Sequence, residues 1–508
     1  MLGFDGAEAD LVERWAEEGR LPTFASLRDV ALTIELRNHA AYLPDVVWPE
    51  LSTGRPGASL GWYRTPAQLV SGETKPRPVR ADEVDLTAFW DIADRAGRRV
   101  AVFDVPWAGH PHGFQGVHVN GWGAHDRPFG AASEPPELLD ELCRRFGPHP
   151  VAHEPATRTR CDHHDRSDAQ LRELRDGLLR GIERRTEAIA WLHDRADLDL
   201  LYAVFTESHC AGHHFWHFFD ESSPWHDPEA PDDLRRALLD VYVALDGALG
   251  ELLSRAGGET AALALLSLGM TTASGCPELL AEVVVRLGYG SGREGTASTV
   301  RGRLPEPVKR LLRSVVRGGA RQRLQQAGGS LPHPLESAST RAIALDNSPA
   351  GAIRLNVKGR DPFGSIEPGA EYDAACAELI RELRALENTE TGSPAVESVV
   401  RADELFGTDI HPSIPDLLVS FDRSGGPVQS VRSPRVGTVS AAVRTPTLPR
   451  SGDHTDHTRV WLRGAGFEPG ARATGDVLDL APTVLRLLDV DVPDSIEGRP
   501  LDLRPAAV

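Results

Sequence analysis

Short apolar and β-branched runs alternate along the chain with stretches whose apolar positions recur at helical spacing. Ala31 to Leu36, Val100 to Asp104, Leu198 to Phe205, Ala261 to Leu268, Ile353 to Lys358 and Asp416 to Phe421 each read as a strand. Alternation of this kind predicts an α/β fold, a large and mainly parallel sheet sandwiched by helices. In such a fold ligands gather beyond the carboxyl ends of the strands. Asp5, the residues after Leu43, the segment from His209 and the loop after Leu268 all follow strand-like runs, so they are expected to converge.

Two stretches break the pattern. Residues 126–180 are rich in Pro, His and charge, and residues 276–340 carry a basic helical segment; both read as cap insertions on a single domain spanning residues 1–508. Within the first, Asp162, His163, His164 and Asp165 read either as metal ligands or as a solvated polar loop. Within the second, Lys309, Arg310, Arg313, Arg317, Arg321 and Arg323 form either an anion-receiving face or an ordinary solvated one.

Composition narrows the partners. A hydrophobic content of 41% over 508 residues suffices for a large core, and a net charge of -19 argues against nucleic acid as the main partner. The first residues show neither the basic flank nor the apolar core of a signal peptide, and no run approaches a membrane span, so a cytoplasmic address is expected. The five cysteines are scattered without a CxxC pair, which suggests neither a disulfide framework nor a thiolate zinc site.

Candidate chemistry centres on His209 and His213. Four residues apart on a helix, their rings share one face, as a divalent transition metal requires, although buried pairs at this spacing also occur without metal. Cys210 between them reads as a small buried apolar residue. Glu207, at the start of the same helix, is a candidate general base or simply an acid favoured by the helix dipole. Asp5 followed by Gly6 reads as a metal ligand at a strand end or as a helix cap.

Several motifs fall in one order along nearly the whole chain: Gly3 to Ala7; Leu21 to Leu27; Pro44 to Pro49, then Thr53 to Gly57; Thr206 to His213 with Trp216; Gly452 to His454; and Ala481 to Leu488 with Glu497 to Leu501. Together they resemble the alkaline phosphatase superfamily, and within it the type I phosphodiesterase and nucleotide pyrophosphatase branch. The resemblance implies an alkaline phosphatase-like sheet with metal at its carboxyl edge. It places His209, His213 and His454 as the ligands of one ion, with imidazole replacing carboxylate at His209, and Asp5 in a second site.

The resemblance also marks departures. The position of the nucleophile, Thr or Ser in that branch, falls on Val47, and the turn that supplies an Asp-His pair reads Leu266-Ser267-Leu268-Gly269-Met270. A covalent phosphoryl-enzyme step through residue 47 is therefore not expected. Ser52, Thr53 and Ser267 are the nearby hydroxyls, and turn residues satisfying backbone groups are the alternative reading for them. Asn356, Lys358 and Arg360 resemble a segment that presents donors to an anionic substrate, with a polar strand and turn as the equal alternative. His411, His457 and Asp409 are further polar residues whose position the sequence does not fix.

These readings converge on a metal-dependent hydrolase or group-transfer enzyme of the phosphodiesterase type. One Zn2+, or a similar divalent transition ion, and water activated by it are expected to act on a small-molecule phosphate ester or nucleotide-like substrate. The alternatives are an inactive member serving as a binding or scaffold protein, and an enzyme repurposed to other chemistry in specialised metabolism.

Overall fold

The computed structural model describes residues 1–65, 67–80, 82–109, 113–123, 129–151, 167–257, 260–273, 278–290, 334–347, 350–407, 409–422, 428–441, 450–464 and 466–503. The clusters at 162–165 and 309–323 lie outside them. Two compact units emerge. One comprises Met1–Trp62, Val79–Ala273 and Thr447–Val508, and the other Tyr63–Pro78 and Ser274–Pro446.

The first unit is built on a nine-stranded sheet. Its strands run in the order Arg472–Asp476, Leu32–Arg37, His457–Arg463, Ala262–Leu266, Leu2–Phe4, Leu200–Phe205, Val100–Phe103, Val117–Asn120 and Ala132–Glu134. Most neighbours pair in parallel. The exceptions are the edge strand Ala132–Glu134 and the strand His457–Arg463, which is antiparallel to both neighbours. The latter follows directly from a two-stranded ribbon, Gly452–Thr455 paired antiparallel with Gly269–Thr272, so the chain enters the sheet at its carboxyl edge and runs backwards.

Helices flank this sheet, as the alternating pattern predicts. Phe4 on the central strand stacks on Phe205 of its neighbour at 5.6 Å and meets Phe24 edge-on at 5.4 Å, and Phe24 in turn lies 5.7 Å from Trp461. These rings join side chains of the helices Asp168–Arg195, Glu207–Phe219 and Ala237–Arg255 in one buried cluster. The described parts of 126–180 supply the edge strand, the helix Leu138–Phe146 and the first turns of Asp168–Arg195. That long helix begins at a capping box between Ser167 and Gln170.

The strands read at Ile353 and Asp416 exist but belong elsewhere. In the second unit, Val396–Arg401, Leu417–Phe421, Ala350–Leu355 and Ala342–Asn347 form an antiparallel four-stranded sheet over its own buried cluster. Ala342–Asn347 and Ala350–Leu355 are consecutive, and so short a connection permits only antiparallel pairing. Among the described residues no helix is long and apolar enough to cross a membrane.

One helix is completed from a distance. Pro22–Val30 has Leu21 at its cap position, which offers no side-chain acceptor; instead buried Asp246, from the helix Ala237–Arg255, accepts from Thr23 N at 3.1 Å and Phe24 N at 2.8 Å. Asp246→Ala leaves one buried and one partly buried N–H without this acceptor and is expected to lower stability by about 1–3 kcal/mol in denaturant unfolding. Asp246→Asn, which keeps one acceptor oxygen, is expected to lose less.

Candidate metal centre

The helix Glu207–Phe219 starts where the strand Leu200–Phe205 ends, which puts His209 and His213 on the inward face at the carboxyl edge of the sheet. The close approach depends on Gly6. Its φ is +63°, and a Cβ there would lie 3.0 Å from the His209 Cα. The ribbon Gly452–Thr455 comes equally close, since a Cβ on Gly452 would sit 2.3 Å from the Gly212 carbonyl oxygen.

Three buried imidazoles meet here. The ring centres of His209, His213 and His454 are separated by 4.6, 4.8 and 4.9 Å, and one nitrogen from each lies within 4.8 Å of the others. The ribbon register places His454 opposite Met270, so the segment read as a turn runs into the strand that pairs with the one carrying the third histidine.

Hydrogen bonding fixes two of the tautomers. His213 Nδ1 lies 2.7 Å from the Gly452 carbonyl oxygen, which only accepts, so this nitrogen bears the proton. His209 Nδ1 lies 2.6 Å from Asp5 Oδ2 and donates to that carboxylate. The two Nε2 atoms face each other at 2.8 Å, a distance that a shared proton or a bridging cation satisfies. Burial first, then the nearby Arg450 and the other rings, holds His213 well below the usual imidazole range, and burial with His209 does the same for His454. Neutral imidazole is the ligating form, so the group suits a divalent transition metal.

Asp5 is placed differently from the expectation that it serves a second ion. Its Oδ1 accepts from the Trp48 indole N–H at 2.8 Å and from the Ser267 hydroxyl at 3.4 Å, and its Oδ2 from His209. Val47 is buried and offers no nucleophilic atom, and the Thr53 hydroxyl donates to the Pro49 carbonyl at 2.7 Å. Around Gly6 and Gly212 the space is filled by the Met270 side chain.

Glu207 is also corrected. Its Oε1 lies 3.0 Å from Arg185 Nε and 2.9 Å from His149 Nε2, with all three side chains buried. Arg185 further donates to Asp104 Oδ2 at 2.7 Å, and the Gly123 N–H donates to the same oxygen at 2.7 Å. Burial alone pushes the Glu207 carboxyl up, but the Arg185 charge and the His149 hydrogen bond override it and hold the group at about 2. So weak a base, engaged on the protein side, is an anchor for the helix and not a general base.

The remaining polar residues are held by neighbours within their own units. In the second unit, Asn356 donates to the Thr340 and Phe363 carbonyls at 2.9 Å each, Arg360 pairs with Asp361 and Asp416, and exposed Lys358 pairs with Glu367. Those donors are consumed by the turn that carries them, which argues against an open substrate cradle. His411 accepts from Ser413 N at 3.2 Å and Asp409 is exposed, both in the same unit. His457 lies 3.6 Å from Glu8 Oε1, forming a second grouping with Asp10 in which the Glu8 carboxylate already accepts from Asp10 N and Met270 N. Cys210 is disulfide-bonded, contrary to the spacing argument, while Cys143 and Cys376 are free.

Sequence reading missed Arg185, His149, Asp104, the Trp48 donor and the Gly452 carbonyl. Only Asp104 carried a signal, because it follows the strand Val100–Phe103 as Asp5 follows Leu2–Phe4. Glu207 supplies stability that is complete above its unfolded value near 4.5 and is lost as pH falls towards about 2. The destabilisation caused by Glu207→Gln is therefore expected to be largest at neutral pH and to shrink between these limits, as measured by denaturant unfolding across pH. A pH-independent difference contradicts the ion-pair assignment.

Among proteins with curated descriptions, none matches this sequence. Among solved structures, wild-type alkaline phosphatase PafA is similar with a TM-score of 0.51 and 13% identity over 98% of this chain and 97% of that one. Human ectonucleotide pyrophosphatase / phosphodiesterase 5 gives 0.47 and 12% over 97% and 95%. Phosphonoacetate hydrolase from Sinorhizobium meliloti 1021 gives 0.45 and 13% over 94% and 93%. The PafA likeness shows the alkaline phosphatase-like α/β fold. Residues 1–434 match the family described as type I phosphodiesterase / nucleotide pyrophosphatase. With that match on most of its length, the chain belongs to the type I phosphodiesterase / nucleotide pyrophosphatase family.

Proposed function

We propose that the protein is a metal-dependent hydrolase or group-transfer enzyme for phosphate esters of nucleotide-like type, working with one divalent ion, zinc by preference. His209, His213 and His454 would hold the ion. The observation that carries this reading is the buried trio whose ligand atoms lie within 4.8 Å of one another, with the Nδ1 atoms of His209 and His213 committed to Asp5 and the Gly452 carbonyl. Family membership supports the phosphoryl-transfer class.

When bound, such an ion supplies Lewis acidity towards a phosphoryl oxygen and an acidified water. The chain's own residues do the rest of the positioning. Asp5 and the Gly452 carbonyl orient two of the rings, and the Glu207 anchor fixes the start of the helix that bears them. With Val47 at the position of the nucleophile, water is the attacking group in this reading and no covalent enzyme intermediate forms. Val47 is equally the observation that favours the second reading, a catalytically inactive member that binds or scaffolds.

Metal analysis of protein purified without added metal is expected to give one equivalent of zinc per chain, lost in His213→Ala. Turnover of bis(4-nitrophenyl) phosphate is expected to fall in that variant by at least about a hundredfold, beyond the effect of removing an outer-sphere partner. Metal without turnover selects the scaffold reading, and two equivalents of metal reject the one-ion centre.

A further inference from the structure

We propose that Asp5 is a positioning residue of the three-histidine centre, gripping His209 by its Nδ1, and is not a metal ligand; this rests on the reading of that centre given above. Asp5 is 1% exposed, and a carboxylate so buried is costly unless donors surround it. Its two oxygens receive three: the His209 imidazole at 2.6 Å on Oδ2, and on Oδ1 the Trp48 indole at 2.8 Å and the Ser267 hydroxyl at 3.4 Å. The backbone is fixed as well. Asp5 N donates to the Phe205 carbonyl at 2.8 Å, and the Asp5 carbonyl accepts from the Ser208 hydroxyl at 2.6 Å.

The carboxylate is thus satisfied by side chains from three separate segments with no cation required. Of these bonds the one to His209 is the shortest. It orients the ring and turns Nε2 towards His213 Nε2, which lies 2.8 Å away. The Gly452 carbonyl holds His213 from behind in the same manner, so each of these two rings has its own acceptor opposite its coordinating nitrogen. The neighbours of Asp5 are consistent with this role. Trp48, which follows Val47, has no exposed surface, and its ring packs where a Cβ on Gly3 would fall, 3.0 Å from Cη2.

The test uses the full chain, freed of metal with a chelator and titrated with Co2+ alone, read by visible absorption. Wild type is expected to take up one equivalent. Asp5→Ala is expected to keep that stoichiometry with affinity lowered tenfold to about a hundredfold and altered d–d bands, and Asp5→Asn, which retains an acceptor for Nδ1, to recover part of the loss. A folded Asp5→Ala protein with wild-type affinity and spectrum overturns the proposal. So does a wild type that takes two equivalents and an Asp5 variant that takes one. Should the Asp5 variants fail to fold, Trp48→Phe releases Oδ1 while leaving His209 in place. One equivalent is then expected, and uptake of a second makes Asp5 a ligand. A wild type that binds no cobalt overturns the three-histidine reading and this proposal together, whereas loss of binding in His213→Ala with unchanged binding in Asp5→Ala overturns this proposal alone.

Discussion

Buried carboxylates at the carboxyl edge of the sheet set the terms for everything around them. Asp5, Asp104 and Glu207 follow three adjacent strands, and each has 1% or less of its surface exposed. An unpaired charge at such depth costs several kcal/mol, so each site recruits donors. Arg185 serves two of the three acids at once and lies over the rings of Phe103, Trp122 and Phe205 at 5.8, 5.3 and 5.9 Å. Asp5 instead gathers an imidazole, an indole and a hydroxyl. The helix that carries His209 and His213 is thereby fastened twice within its first turn, through Glu207 and through His209 itself.

The fold was legible because its signals are local. Apolar runs located six strands to within a few residues but not Val117–Asn120, Ala132–Glu134, His457–Arg463 or Arg472–Asp476, and the order of short motifs named the family. What eluded the sequence was of two kinds. The first was direction: Ile353 and Asp416 lie in runs that look like the rest, yet their strands form an antiparallel sheet of another unit, and only the tight link between Ala342–Asn347 and Ala350–Leu355 gives a local reason for it. The second was pairing across long separations. Arg185 stands in the middle of an unremarkable helix, and nothing near it in the sequence announces Asp104 or Glu207.

The donor-rich stretch from Asn356 to Arg360 shows why residue type alone is a poor guide to a binding surface. Arg and Asn in a Gly-containing turn suit an anion, but they suit the turn's own carbonyls and carboxylates equally well. Here Asp361, Asp416 and the Leu355, Thr340 and Phe363 carbonyls occupy them. Glu207 teaches the same lesson. An acid two residues before His209 looks like a base until its partners are known, and Arg185 lowers its proton affinity far below what abstraction needs.

The three-residue strand Leu2–Phe4 lies at the middle of the large sheet, and its two neighbours are Leu200–Phe205 and Ala262–Leu266. Both its edges are covered only by segments that lie about 200 and 260 residues later in the sequence. Loop-closure entropy over such separations is repaid only late, which makes for high contact order and slow assembly. Until both partners dock, the strand that ends in Asp5 keeps open hydrogen-bonding edges, a template on which other segments can mispair.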